Sequence, residues 1–200
     1  MRTRKVLAVG AAVLALGIVF LRGGQAADQK ELGAALDKLV KTAADKPDDL
    51  QKEGAEVVKL NKIDNDSIKE AMDFLGKREE GLPGWGVGKP GTIKPDNIEL
   101  KIRDMVKAKT MSKAQFEKEK DALLELANRT AAMGSIALAS GPKKKLPDKD
   151  PKDWKEYSED MIKSSRELAK TIKDNDPKAV KEAAAKLNSS CSNCHGKFRD

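Results

Sequence analysis

Residues 176–200 read DPKAVKEAAAKLNSSCSNCHGKFRD. Asp176 can cap a helix and Pro177 can open it. From there Val180, Ala184, Leu187, Cys191, Cys194 and Phe198 recur at i, i+4, i+7, i+11, i+14 and i+18, one face of an α-helix. Within that face Cys191 to His195 spells C-x-x-C-H, the pattern of covalent c-type haem attachment. The spacing has a physical reason. Positions i, i+3 and i+4 of a helix project to one side within a turn, so two thiols can bond the two vinyl groups of a porphyrin while the imidazole reaches its iron. Both cysteines lie on the core-facing stripe, which predicts a porphyrin plugged into a helical assembly.

Three other readings compete for these residues. A thioredoxin-type redox pair opens a helix after a strand, where the dipole lowers the thiol pKa, whereas this pair is deep in a helix with no strand pattern nearby. A zinc site would have Cys191, Cys194 and His195 but needs a carboxylate as fourth ligand and lacks a second C-x-x-C. A structural disulfide beside an ordinary histidine is the third. That His195 is the only histidine and follows the cysteine pair directly weighs for haem.

Composition agrees. A length of 200 residues suits one compact domain, with at most a short appendage. Two cysteines exclude a disulfide-dense scaffold, and one histidine excludes a His-rich metal site. Aromatics make up 4% and charged residues 36%, so the protein part of the core is thin and rich in alanine. A large apolar macrocycle would fill part of it, contributing about 25 cal/mol per Å² removed from water. The net charge of +7 suggests nucleic acid until its distribution is considered. Arg2, Arg4, Lys5 and Arg22 lie before Ala26 in a stretch without acids, so the chain after it carries +3. No nucleic-acid partner is expected.

That stretch reads as an address. Met1 to Lys5 is basic, Val6 to Leu21 is an uncharged apolar run, and Gly24 and Ala26 stand at −3 and −1 of a cleavage site. Residues 1–26 are therefore expected to be a secretory signal peptide and 27–200 the haem-binding helical domain, placed in the periplasm. The run is short of the ~20 residues that span a bilayer, so membrane attachment would follow only if the leader were kept as an anchor.

The rest of the chain is a series of helical patterns. Leu32, Leu36, Leu39, Val40 and Ala43 form one stripe, ended by Lys46-Pro47. A weaker helix over 47–63 has Leu50, Val57 and Val58 inside. Ser67 and Glu70 have the spacing of a capping box before Ile68, Met72 and Leu75. Gly81 to Pro95, with five glycines and three prolines, must be an irregular loop, with Trp85 tucked against the domain. Gly86-Val87-Gly88-Lys89-Pro90-Gly91 imitates a dinucleotide fingerprint, but no strand precedes it, and Pro90 and Pro95 prevent the helix that would hold a pyrophosphate. Ile98, Ile102, Met105 and Val106 suggest a short helix. Ser112 and Gln115 form a capping box for a long one with Phe116, Leu123, Ala127, Ala131, Gly134 and Leu138, ended by Gly141-Pro142. Trp154, Tyr157, Met161, Ser165, Leu168 and Ile172 mark the next. Amphipathic helices on short links imply an all-α, antiparallel bundle.

The chain resembles the class II c-type cytochromes typified by cytochrome c′. Their haem motif commonly continues as C-x-x-C-H-x-x-F-R, and here Cys191-Ser192-Asn193-Cys194-His195-Gly196-Lys197-Phe198-Arg199 matches it, with Trp154 opening the preceding helix as in that family. The likeness is best over 111–200, specific from Pro151 to Arg199, and decays before Ser112. It implies a four-helix bundle, here with extra N-terminal helical segments, and one covalently attached haem c. Cys191 and Cys194 would be the thioether residues and His195 the proximal iron ligand. Phe198 and Arg199 would neighbour the haem.

Function then turns on the sixth iron position. A second histidine does not exist, and beyond Met1 the candidates are Met72, Met105, Met111, Met133 and Met161. Each can equally fill a core. Six-coordinate members of the family take a methionine from the first helix, and by that analogy Met72 is favoured as sixth ligand. A methionine favours electron transfer, and an open apolar face favours a small gas. The expected function is an extracytoplasmic monohaem cytochrome exchanging electrons with redox partner proteins, and not an enzyme. The alternative is a five-coordinate haem protein binding nitric oxide or carbon monoxide. The resemblance also raises a homodimer.

Overall fold

The computed structural model describes residues 17–78, 83–107, 111–142 and 150–199, with the backbone alone for 17–28. Among the described residues seven helices run in order: α1 (Gly17–Asp45), α2 (Leu50–Leu60), α3 (Ile68–Met72), α4 (Ile98–Lys107), α5 (Lys113–Ser140), α6 (Pro151–Lys173) and α7 (Pro177–Phe198). Short 3-10 turns lead into α2 and out of α3. Among the described residues there is no strand, only an isolated bridge between Lys77 and Asn97. The expected leader lies outside the described residues through 16, and its remainder forms the start of α1.

The C-terminal helices start where side-chain oxygens can satisfy the free amides of a first turn. Ser112 Oγ accepts from Gln115 N at 3.2 Å. Asp150 Oδ1 accepts from Lys152 N at 2.9 Å, and Asp176 Oδ1 from Lys178 N and Ala179 N, each at 3.0 Å. Pro151 and Pro177 occupy first-turn positions, where a missing N–H costs nothing. Asn175, at φ 57°, supplies the left-handed residue that turns α6 into α7.

Helices α5, α6 and α7 pack in sequence, α5 on α6 and α6 on α7, and α4 closes against α7. These four form the bundle. Its members are unequal: α4 is 10 residues and α5 is 28, roughly 15 Å against 42 Å at 1.5 Å per residue. The extra N-terminal helices make up the difference, since α1, α2 and α3 all pack on α5. Consequently α5 is covered all round over its later part, where Thr130 through Ala137 are buried without a break. Two neighbouring small residues allow this. A Cβ on Gly134 would stand 2.8 Å from Ile162 Cγ1 of α6, and one on Gly54 of α2 would stand 2.5 Å from Ser135 Oγ.

The loop before α4 is held by its own polar groups and by side chains of α1 and α5. Trp85 is buried and donates from Nε1 to Asp37 Oδ1 at 3.0 Å. Arg129 of α5 donates to Gly86 O at 3.2 Å and lies 5.5 Å from the Trp85 ring centre, while Arg78 donates to Gly88 O at 2.8 Å. The amide of Val87 is taken by Asp96 Oδ1 at 2.6 Å. These groups are spent holding the loop on α5, the structural role expected of it.

Candidate functional site

The site is the last two turns of α7. Cys191 and His195 are four residues apart, roughly 6 Å along the axis. Cys191 and Phe198 are half-buried and pack on the core, while Cys194 and His195 are half-buried and Ser192, Asn193, Gly196 and Lys197 are exposed. The helix therefore presents two thiols and an imidazole on its inner side at the surface end of the bundle. Both cysteines are free. Among the described residues no cluster of His, Cys, Asp and Glu has the makings of a metal site, so the zinc reading finds no fourth ligand there.

Burial sets the thiol chemistry. It pushes the Cys191 thiol up to about 12, reinforced by the negative charges of Glu99 on α4 and Asp160 on α6 and by Cys194. Burial also raises Cys194. Both are neutral thiols at pH 7, opposite to the depressed pKa of a redox C-x-x-C. Only the thiolate is nucleophilic, so the haem-free chain should react with iodoacetamide at Cys194 before Cys191. Peptide mass spectrometry at intermediate times checks the order, and faster labelling of Cys191 would contradict the burial described here.

The final turn is tied to α6. The Phe198 ring meets Trp154 edge-on with centres 5.0 Å apart and Tyr157 at 6.2 Å. Lys197 pairs with Asp153. Arg199 is exposed and caps the helix through its own N–H to His195 O at 3.1 Å. The grouping of Cys191, Cys194, His195, Phe198 and Arg199 is thus one continuous surface of α7 and its C-cap.

Met72 is placed elsewhere. It is half-buried on α3, whose neighbour is α5, whereas α7 is flanked by α6 and α4. The structure does not put it beside the motif, because the helix that takes the first place in the bundle is α4. Met105, on α4, lines a small cavity with Met111, Pro177, Val180 and Lys181. Val180 is fifteen residues up α7 from His195, roughly 22 Å at 1.5 Å per residue. Met133 is fully buried in α5. Met161 is buried on α6 and packs where Gly134 approaches, its Cγ 3.4 Å from the position of a Cβ there. Two residues that sequence reasoning passed over add their negative charge to the surroundings of Cys191, namely Glu99 and Asp160. Only the packing of α4 and α6 on α7 brings them there, so no local signal could have found them.

The donor set fits a haem c: two neutral thiols for thioethers and one imidazole for iron, on one side of a helix whose buried neighbours are apolar or small (Val180, Ala183, Ala184, Leu187, Ser190). The hydroxyl of Ser190 is buried without a hydrogen-bond partner, so this wall is not closed by its own polar contacts. Among the described residues no helix is long and apolar enough to cross a membrane. No curated protein and no solved structure matches the chain. A family model does, described as cytochrome c′, over residues 96–199. The match takes in α4 as well as α5 to α7, just over half the chain. With the motif, the all-helical bundle and the match in agreement, the chain belongs to the cytochrome c′ family, whose members bind one covalently attached haem c.

Proposed function

We propose that this chain is an extracytoplasmic monohaem cytochrome that carries single electrons between partner proteins. The observation that carries the reading is the position of the Cys191, Cys194 and His195 turn, half-buried at the surface end of α7 and surrounded by exposed residues. Cys191 and Cys194 would hold the haem by two thioethers and His195 would ligate its iron. Bound haem supplies one-electron chemistry whose potential is set by axial ligation, burial and nearby charge. The protein's part is to keep the imidazole oriented, to shield the inner side from water with Ala184 and Leu187, and to leave the outer side open to partners. The only histidine is committed to iron, so no second imidazole serves as an acid–base catalyst. The charge-rich N-terminal stretch with its apolar run supports export.

A second reading has a specific observation in its favour. Helix α4 packs on α7 and carries the buried Ile98 and Ile102 beside Lys101 and Met105, and Met72 is on α3, which packs on α5. An apolar distal side without methionine would accept a small gas such as nitric oxide or carbon monoxide. Optical and resonance Raman spectra of the ferrous protein, with and without carbon monoxide, separate the two. A low-spin spectrum unchanged by the gas is expected for the carrier. A high-spin iron that binds the gas promptly would replace the first reading by the second.

A further inference from the structure

We propose that Trp154 is a positioning residue for the iron ligand, acting through Phe198 on the turn that bears His195. The proposal rests on the haem reading of that turn.

A ligand on the last turn of a helix has a particular weakness. Terminal turns lack half their backbone partners and open at low free energy. Here the last turn is closed at the C-cap by Arg199 N, which donates to His195 O at 3.1 Å. A histidine in such a place would be free to tilt unless something outside α7 held it. That hold is visible three residues on, at Phe198, on the same side of the helix as His195.

Phe198 meets the Trp154 ring at an interplanar angle of 84° and Tyr157 at 75°, both edge-on geometries favoured by aromatic quadrupoles. Trp154 is itself held at three points, two on the indole and one on its backbone. Its Nε1 donates to Ala137 O of α5 at 2.6 Å. Gly141, the cap of α5, lies so close that a Cβ there would be 2.6 Å from Trp154 Cδ1. Trp154 N donates to Asp150 O at 3.1 Å in the capped first turn of α6. Lys197 to Asp153 ties the other edge of the turn to the same stretch of α6. The end of α7 is thus referenced to the C-terminus of α5 and the N-terminus of α6 through one buried ring. Groups of this kind, one layer out from a metal ligand, set its orientation and its bond to the metal.

The test uses haem-loaded protein carrying Trp154→Leu, Trp154→Phe, Phe198→Leu or, as a control for stability alone, Phe116→Leu at a buried α5 position away from α7's last turn. Three quantities are read: the iron–histidine stretching band of the ferrous protein, directly or after photolysis of bound carbon monoxide; the reduction potential; and amide exchange over 195–199. Trp154→Leu and Phe198→Leu should shift the band and the potential and speed the exchange, Trp154→Phe should recover most of each, and Phe116→Leu should lower Tm while moving none. Should Trp154→Leu fail to fold, Phe198→Leu at its half-buried position decides alone. If both variants keep the wild-type band and potential while Tm falls, Trp154 is a packing residue only and the proposal is wrong. Wild-type protein without covalent haem would instead overturn the reading beneath it.

Discussion

Replacing Cys191 and Cys194 together by Ala should leave a protein that loses all its haem to acidified acetone, whereas wild type keeps its haem through the same extraction. Each single replacement should retain haem by one thioether, with the absorption bands displaced by the surviving vinyl group. The expectation follows from the placement of both thiols on one side of α7 within a turn, and from their being free rather than paired with each other. It also follows that His195→Ala should leave the covalent link while changing the iron spectrum, because attachment and ligation are carried by different side chains. Retention of haem by the double variant would show that the cysteines do not bond it.

The largest stability effect is expected at a pair that no motif announces. Lys101 of α4 has 2% of its side chain exposed, and its Nζ lies 2.7 Å from Glu119 Oε2 of α5, itself 13% exposed. Gln115 Nε2 supports the carboxylate at 3.2 Å, and Lys94 O lies 3.5 Å from the ammonium. Removing one partner of a buried pair strands the other charge, which costs about 3–5 kcal/mol. Glu119→Ala should therefore lower Tm by roughly 10 °C in a chain of this size. The double change Lys101→Met with Glu119→Leu should recover most of that loss, since replacing both charges by apolar groups of similar volume removes the desolvation penalty. Thermal unfolding by circular dichroism of Lys101→Met, Glu119→Leu and the double gives the cycle. Additive losses would mean that the pair is not coupled. Because α4 packs on α7, loosening α4 in Glu119→Ala should also change the haem spectrum.

The same two helices show what a sequence can and cannot reveal. The stripe of Ile98, Ile102 and Met105 places Lys101 on the inner face of α4 by its spacing, yet its charge speaks for solvent. The conflict is settled by a carboxylate eighteen residues away. Local signals did better. The Ser112 and Asp176 caps, Pro177 at a first turn and the 3.6-residue stripes were readable because each depends on neighbours in the chain. One local signal misled. Ser67 and Glu70 have capping-box spacing, but Ser67 Oγ donates to Asp64 Oδ1 at 2.8 Å and accepts from Asp64 N, and no side-chain cap forms. Asp64 Oδ1 takes Asp66 N and Ser67 N as well, and these bonds, that from the Ser67 hydroxyl foremost, lower its pKa. A competing turn of this kind leaves α3 five residues long.

Met72 failed for a different reason. Its selection depended on which segment takes the place of the family's first helix, and that is a matter of packing across α5 and α7 rather than of spacing. The burial of α5 on both faces was similarly hidden. A run such as Thr130 to Ala137 shows small and apolar residues all round, but the identity of the covering layer, α1 to α3, comes only from the tertiary fold. By contrast the candidate thioether and iron-ligand residues stand out in the sequence, since the C-x-x-C-H pattern falls within five consecutive positions.

The most direct test is the mass of the tryptic peptide Leu187–Lys197 from wild-type protein, made in a host that exports and matures c-type cytochromes. The peptide should carry one haem bonded through Cys191 and Cys194, with one iron per chain and none elsewhere. A peptide recovered with two free thiols or a Cys191–Cys194 disulfide, from a colourless protein, would contradict the assignment.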